Sequence, residues 1–440
     1  MEGSKTTSIP LLQEESSRCS EGTASRVQTI ANIVVSIVGT GVLGLPFAFL
    51  TAGWLAGSVA TVFAGISVYY CMFLLVKCSN KLSLKEEEGE DDDDDGDDLT
   101  NIKTYGDLGY ECMGTTGRLM VETLIGISQC GGCVVNLVFI GQNLSSVFRA
   151  HNLSFSTYIL LLVPIEIGLS WIRSLSSLAH FSIFANVCNV LAMGIVVKED
   201  IQQVLKSEFL FDDRTAITSK FGGLAFAVGM AVFCFEGFGM TLALEASMKD
   251  KRSFPKVLAQ AFFGIALLYV LFGFFGYMAY GDQTKDIITL NLPRNWWALT
   301  VQIGMCLGLI FTFPITVHPL NEIIERRLKK NKWCYNSNKE NDSDHGHSTT
   351  RIGVLGIYSS RGILVIGLAV LASYVPEFGV FTSLVGSTVC ALIAFVFPAI
   401  FHLKLLASSL NLWQKALDLF ILSCGLLFAV YGTYNTVISV

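Results

Sequence analysis

The feature that most restricts this chain is a succession of apolar runs, each about as long as a bilayer is thick. A helix crosses the hydrocarbon core with roughly 20 mostly apolar residues. Windows of that kind lie at 28–50, 54–77, 118–147, 155–172, 177–197, 221–246, 257–280, 297–323, 353–374, 379–402 and 413–435. Helix is the required form, because an irregular segment facing lipid leaves N–H and C=O groups with no partner. Composition agrees: 15% of the 440 residues are charged, against about 25% in an average soluble domain. The expected fold is an all-α integral membrane protein of about 11 transmembrane helices.

Lys and Arg set the expected orientation, since short cytoplasmic loops hold an excess of them. Most lie in the N-terminal tail and the loops near 78–117, 173–176, 247–256, 324–352 and 403–412. The densest groups are Lys249, Lys251, Arg252, Lys256 and Arg326, Arg327, Lys329, Lys330, Lys332. The N-terminus is therefore expected in the cytoplasm. Residues 1–25 read as a disordered cytoplasmic tail and 26–440 as the transmembrane domain, with an acidic cytoplasmic loop at 78–117 and a basic one at 324–352. Residues 86–98 hold eleven carboxylates; without them the formal charge of −6 becomes +5. That run reads as a solvated insert rather than a regulatory or metal-binding element. Asn152-Leu153-Ser154 is an outward sequon too close to the membrane for ready use. Leu11-Leu12 lacks the upstream acid of a sorting signal, so plasma membrane and vacuolar membrane both fit. The cysteines fall mostly inside apolar stretches, and Cys130-x-x-Cys133 reads as helix packing rather than a redox pair.

A solute held midway across a membrane needs free backbone groups there, which a continuous helix does not offer. The first window contains Gly39-Thr40-Gly41-Val42-Leu43-Gly44-Leu45-Pro46, where three glycines ease departure from the helix and Pro46 lacks a donor. The sixth contains Cys234-Phe235-Glu236-Gly237-Phe238-Gly239-Met240-Thr241. First and sixth of ten are the positions that two five-helix repeats give to paired breaks. Such breaks aim amides at a carboxylate and carbonyls at an ammonium, which suits an amino acid. Candidate substrate-binding residues are Val38, Gly39, Thr40, Gly41, Phe235, Glu236, Gly237 and Thr312, with Thr316 beside them and Phe235 and Phe238 shaping a side-chain pocket. Ionisable groups inside spans are usually functional. Glu236, in the break itself, is the proton-coupling candidate. Glu245 reads as a helix-end or gate residue, Glu122 and Glu166 as interhelical hydrogen bonders, and His318 as a packing group. No phosphate loop, G-x-S-x-G, H-E-x-x-H or zinc-spaced cluster occurs. No enzyme, metal, cofactor or nucleic-acid partner is expected, and the sequence assigns no protein partner.

Ile37 through Pro46 with Ala52-Gly53-Trp54 resembles the first helix of the amino acid/auxin permease family. Phe235-Glu236-Gly237 through Leu244-Glu245 and Met248 resembles its sixth. Tyr105-Gly106-Asp107-Leu108-Gly109 and Tyr277 with Gly281-Asp282 fit as well. The likeness runs from about residue 26 to the C-terminus and is nearest the plant branch of aromatic and neutral amino acid transporters. It implies a LeuT-type 5+5 inverted repeat with broken helices 1 and 6. It also implies secondary active transport of neutral and aromatic amino acids, with auxin a further candidate, driven by a proton gradient. Two positions depart from relatives in the family: Val35 stands where the sodium-coupled branch has Asn, and Asn32 where the proton-coupled animal branch has His. Proton coupling then falls to another group. Two rivals remain open: an amino-acid sensor on the same fold, and a membrane-embedded acyltransferase built on His318 and Glu322.

Overall fold

The computed structural model describes residues 22–88, 104–148, 153–172, 175–206, 214–293, 295–330, 346–375 and 377–438. The tail up to residue 21 with Leu11-Leu12, the acidic run from residue 89 on, Asn152 of the sequon and residues 331–345 of the basic loop lie outside the described residues.

Fourteen α-helices follow one another in the described residues: α1 (Arg26–Ile37), α2 (Leu45–Ala52), α3 (Trp54–Glu88), α4 (Tyr105–Val147), α5 (Phe155–Ser170), α6 (Leu175–Lys206), α7 (Phe221–Cys234), α8 (Phe238–Ser247), α9 (Phe254–Tyr280), α10 (Trp296–Lys330), α11 (Gly346–Tyr374), α12 (Phe378–Val385), α13 (Phe397–Leu405) and α14 (Leu412–Ile438). Among the described residues eight spans are long and apolar enough to cross a membrane, α7 with α8 counted as one and α12 with α13 as another. The bent pair α1–α2 makes a ninth. The other two expected windows coincide with α5, a shorter apolar helix, and α6.

Helix starts follow local chemistry. Ser25 caps α1 by accepting from the Gln28 amide, and Thr104 with Asp107 forms a reciprocal capping box on α4, which satisfies N–H groups that the first turn leaves unpaired. Prolines open α2 and α9, where a missing N–H does no harm. Within α4, Met113 and Gly114 leave helical geometry, Gly114 at φ 66°. The first turns of α4 therefore form a separate piece ahead of the 118–147 window.

The paired breaks are present. Span one stops at Ile37; Val38 and Gly39 are extended, and a 3-10 turn over Thr40–Gly44 leads into α2 with a 55° bend. Span six stops at Cys234 and resumes at Phe238. Span ten holds what periodicity did not reveal. Between α12 and α13 it widens into π-helical turns over Gly386–Cys390 and Leu392–Val396. A Cβ on Gly386 would run into the Gly229 carbonyl of α7, so the two backbones cross in direct contact. Gly386→Ala is expected to lower stability by about 1–3 kcal/mol, the usual range for overpacking, measurable as a reduced melting temperature in detergent.

Candidate functional site

Where the two breaks meet there is a cavity of about 240 Å³. Its walls come from the unwound stretch of span one, from α4, α6 and α10, and from the end of α7 with Glu236. Val38, Gly39, Thr40, Gly41, Glu236 and Thr312 all line it, as does Thr316. Gly41 sits at the crossing. A Cβ there would lie 3.0 Å from both the Cys234 sulfur and the Phe233 ring. Its small size thus serves the packing of the two breaks as well as room for a solute.

Three expected contributors lie elsewhere. Phe235 is fully buried and packs on α9, its ring stacked on Phe262 and 5.0 Å from that of Tyr269. Phe238 is buried beside Tyr105 of α4. Gly237 faces Ile37 and Met72. Neither phenylalanine ring reaches the cavity; Phe233 is the lining aromatic. The cause is the short break: α7 ends one residue before Phe235, whose ring stays on the helix face that meets α9.

The other ionisable candidates also fall outside the cavity. Glu122 pairs with Arg118 one turn away at 2.9 Å. Glu166 is wholly buried, yet neither oxygen has a hydrogen-bond partner, so the expected interhelical bond is not formed. Glu245 lies near the end of α8 and His318 on α10, and neither lines the cavity. Glu236 does line it, half-buried, and no hydrogen bond or ion pair from a described side chain reaches its carboxylate.

Several lining residues carry no motif and went unnoticed in the sequence: Ser128, Gln129, Asn136, Asn186 and Asn189. The Thr40 hydroxyl donates to Asn136 Oδ1 at 2.9 Å, fixing the break of span one to α4. The buried Asn189 carbonyl oxygen has no protein partner. Polar residues in an apolar span were the available signal, since a buried amide must be satisfied by something. Apart from Glu236, no charged side chain among the described residues lines the cavity.

Tyr269 of α9 holds the breaks together. Its hydroxyl lies 3.0 Å from the Cys234 carbonyl and 3.3 Å from that of Ile37, the last helical residues before each break. One O–H thus serves two carbonyls that have lost helical partners.

A family model described as transmembrane amino acid transporter protein matches residues 22–438. The amino acid transporter ANT1 of Arabidopsis thaliana is 58% identical over 434 residues, spanning 98% of this chain and 97% of that protein. The amino acid transporter AVT3B of the same plant is 37% identical over 429 residues, spanning 94% and 93%. Among solved structures, the inward-facing conformation of Mhp1 superposes with a TM-score of 0.62 at 12% identity, over 95% of this chain and 91% of that one. The shared fold is the LeuT type, two inverted five-helix repeats whose first spans are interrupted.

Removing the Tyr269 hydroxyl strands two buried carbonyls, at about 1–3 kcal/mol each. Tyr269→Phe is expected to cut initial uptake about ten-fold while surface labelling finds the protein at normal abundance in the membrane.

Proposed function

Because this chain belongs to the transmembrane amino acid transporter family, a family of transporters and not of enzymes, we propose that it is a proton-coupled carrier of neutral and aromatic amino acids that works by alternating access. Auxin, an aromatic carboxylate, is a further candidate. The observation that carries this reading is one cavity shared by two interrupted spans, with non-helical backbone and one carboxylate on its wall.

The parts divide by charge. Amides at the start of the Thr40–Gly44 turn form a positive end suited to the substrate carboxylate. The carbonyl ends of α1 and α7 form the negative end suited to its ammonium group. The substrate side chain then meets amides and hydroxyls from α4, α6 and α10 and the Phe233 ring. A charged side chain would find no opposite partner there except Glu236. That favours neutral substrates, since burying an unpaired charge is expensive.

Glu236 takes and releases the proton. Its carboxylate faces the cavity, with no cation in contact among the described residues. A proton there lets the loaded site turn over without leaving net charge inside the membrane. The cavity extends along Val35, Ser36, Ser128 and Thr316 toward the face that bears the N-terminus. With the N-terminus cytoplasmic, as the Lys and Arg distribution supports, that is the cytoplasmic side of the plasma or vacuolar membrane.

Uptake of a labelled amino-acid panel into proteoliposomes, with and without an imposed pH gradient, tests the reading. Neutral and aromatic amino acids are expected to accumulate only when the gradient is present. Glu236→Gln is expected to exchange substrate yet fail to concentrate it. Binding with no flux in the wild type would make the protein a sensor on the same fold, and unaltered pH dependence in Glu236→Gln would remove that residue from the coupling.

A further inference from the structure

Spans ten and eleven share a polar pair that has no part in the cavity. His402 Nδ1 of α13 and Asp418 Oδ2 of α14 lie 2.6 Å apart, with the two side chains 1% and 0% exposed. Their second atoms, His402 Nε2 and Asp418 Oδ1, have no hydrogen-bond partner. An apolar pair of similar size would hold two helices together at no desolvation cost. A half-satisfied polar pair therefore needs another reason to be there.

Among the described residues no lysine or arginine forms an ion pair with Asp418. From α3, Tyr70, Cys71 and Cys78 face Asp418, with Lys77 beside Cys78. From α4, Cys112 lies within reach of Cys78 and Lys404, and Tyr105 sets its ring against Phe401. The π-helical stretch brings Cys390, which is turned toward Ser128 and Cys234. On their own helices, Lys404 and Lys415 form no ion pair with Asp418, and α7 and α12 carry no titratable side chain other than Cys234. Sharing a single proton keeps the pair neutral. Losing that proton, or gaining a second, puts net charge in a dry site, which is tolerated only if the helices part and admit water.

Protons from one face can reach it. His402 lies three residues before the end of α13 and Asp418 six after the start of α14. At 1.5 Å per residue both are within about 10 Å of the connection between these helices, on the face that bears the N-terminus. The pair is also joined mechanically to the cavity. Above His402, α13 continues into the π-helical turns, a form that recurs at functional sites. In those turns Ile393 accepts from the Tyr105 hydroxyl at 2.9 Å, and Cys390 contacts Ser128 of the cavity wall at 3.5 Å.

We propose that His402 and Asp418 form a second proton site, apart from the cavity, through which the pH on the N-terminal face sets the turnover of the carrier by loosening or tightening span ten against span eleven. The turnover effect rests on the carrier reading; the protonation change does not.

The two are tested separately. In the purified full chain labelled with 15N-histidine, the buried imidazole absent from the His402→Gln spectrum is expected to change protonation within the pH range over which the chain stays folded. In proteoliposomes, His402→Gln and Asp418→Asn are each expected to bind amino acid within about two-fold of wild type. Both are expected to lose the dependence of maximal rate on N-face pH while keeping that on the opposite face. A buried imidazole that holds one protonation state across that range overturns the proposal, as do folded variants with the wild-type N-face profile. If the variants do not fold, selective deuterium exchange and 15N shifts of the wild-type buried imidazole decide it alone. Absence of flux from wild-type vesicles that bind amino acid would instead sink the carrier reading and leave the titration result standing.

Discussion

Bare peptide groups in the middle of a membrane govern this architecture. Each unpartnered N–H or C=O in a dry environment costs about 1–3 kcal/mol, and the breaks in spans one and six create several at once. Part of that is recovered by the protein, since Tyr269 serves the carbonyls of Ile37 and Cys234. The rest, around Val38 to Gly41, borders the cavity. A site that is incomplete by a few hydrogen bonds is one in which a zwitterion can replace lost water on equal terms.

That incompleteness has to be held in place, and the ties fall into two groups. Spans one and six are fastened to each other at more than one level. At the N-terminal face the backbone of Ala24 bridges Ser247 and Lys249, and Arg26 reaches Asp250 at 3.1 Å, holding that carboxyl below its ordinary range. At the middle Tyr269 does the same work. A separate set binds α5, α10 and α11: the Arg361 guanidinium contacts Glu325 at 2.8 Å and the Ser170 carbonyl at 2.7 Å. On the far face, Thr289 donates to Asn143, and Gln302 donates to the Thr289 carbonyl. Asp286 accepts from the Phe378 amide, which anchors the 281–292 segment to the start of α12. The cavity lies between the breaks of spans one and six on one side and α4, α6 and α10 on the other.

Sequence reading went far here because the membrane makes each window declare itself. The two breaks were legible for the same reason: Gly39, Gly41, Gly44 and Pro46 are weak helix formers at a depth where only helix is otherwise allowed. What stayed hidden was direction around each helix axis. Glu236 and Phe235 are neighbours in sequence, yet one faces the cavity and the other α9, and a break of three residues scrambles the 100° count on which facing is judged. Tyr269 was hidden too, as one hydroxyl in an aromatic-rich span whose partners come from two distant segments. The π-helical turns of span ten leave no composition signal at all, since Gly386 to Val396 is as apolar as any helix of that depth.

The positions of the two acid groups also explain why one region cannot do the work of both. Glu236 borders the cavity, so a proton on it would exchange with whatever fills that space. His402 and Asp418 are buried, close to one face and outside the cavity lining. A group in the first position can couple a proton to cargo but cannot report pH independently of cargo. A group in the second can report pH but can reach cargo only by moving the helix it stands on. Span ten is the helix best suited to that, because its widened turns touch both the cavity wall at Ser128 and the crossing with α7 at Gly229. A small shift at that end of span ten would therefore bear on the cavity wall through packing alone.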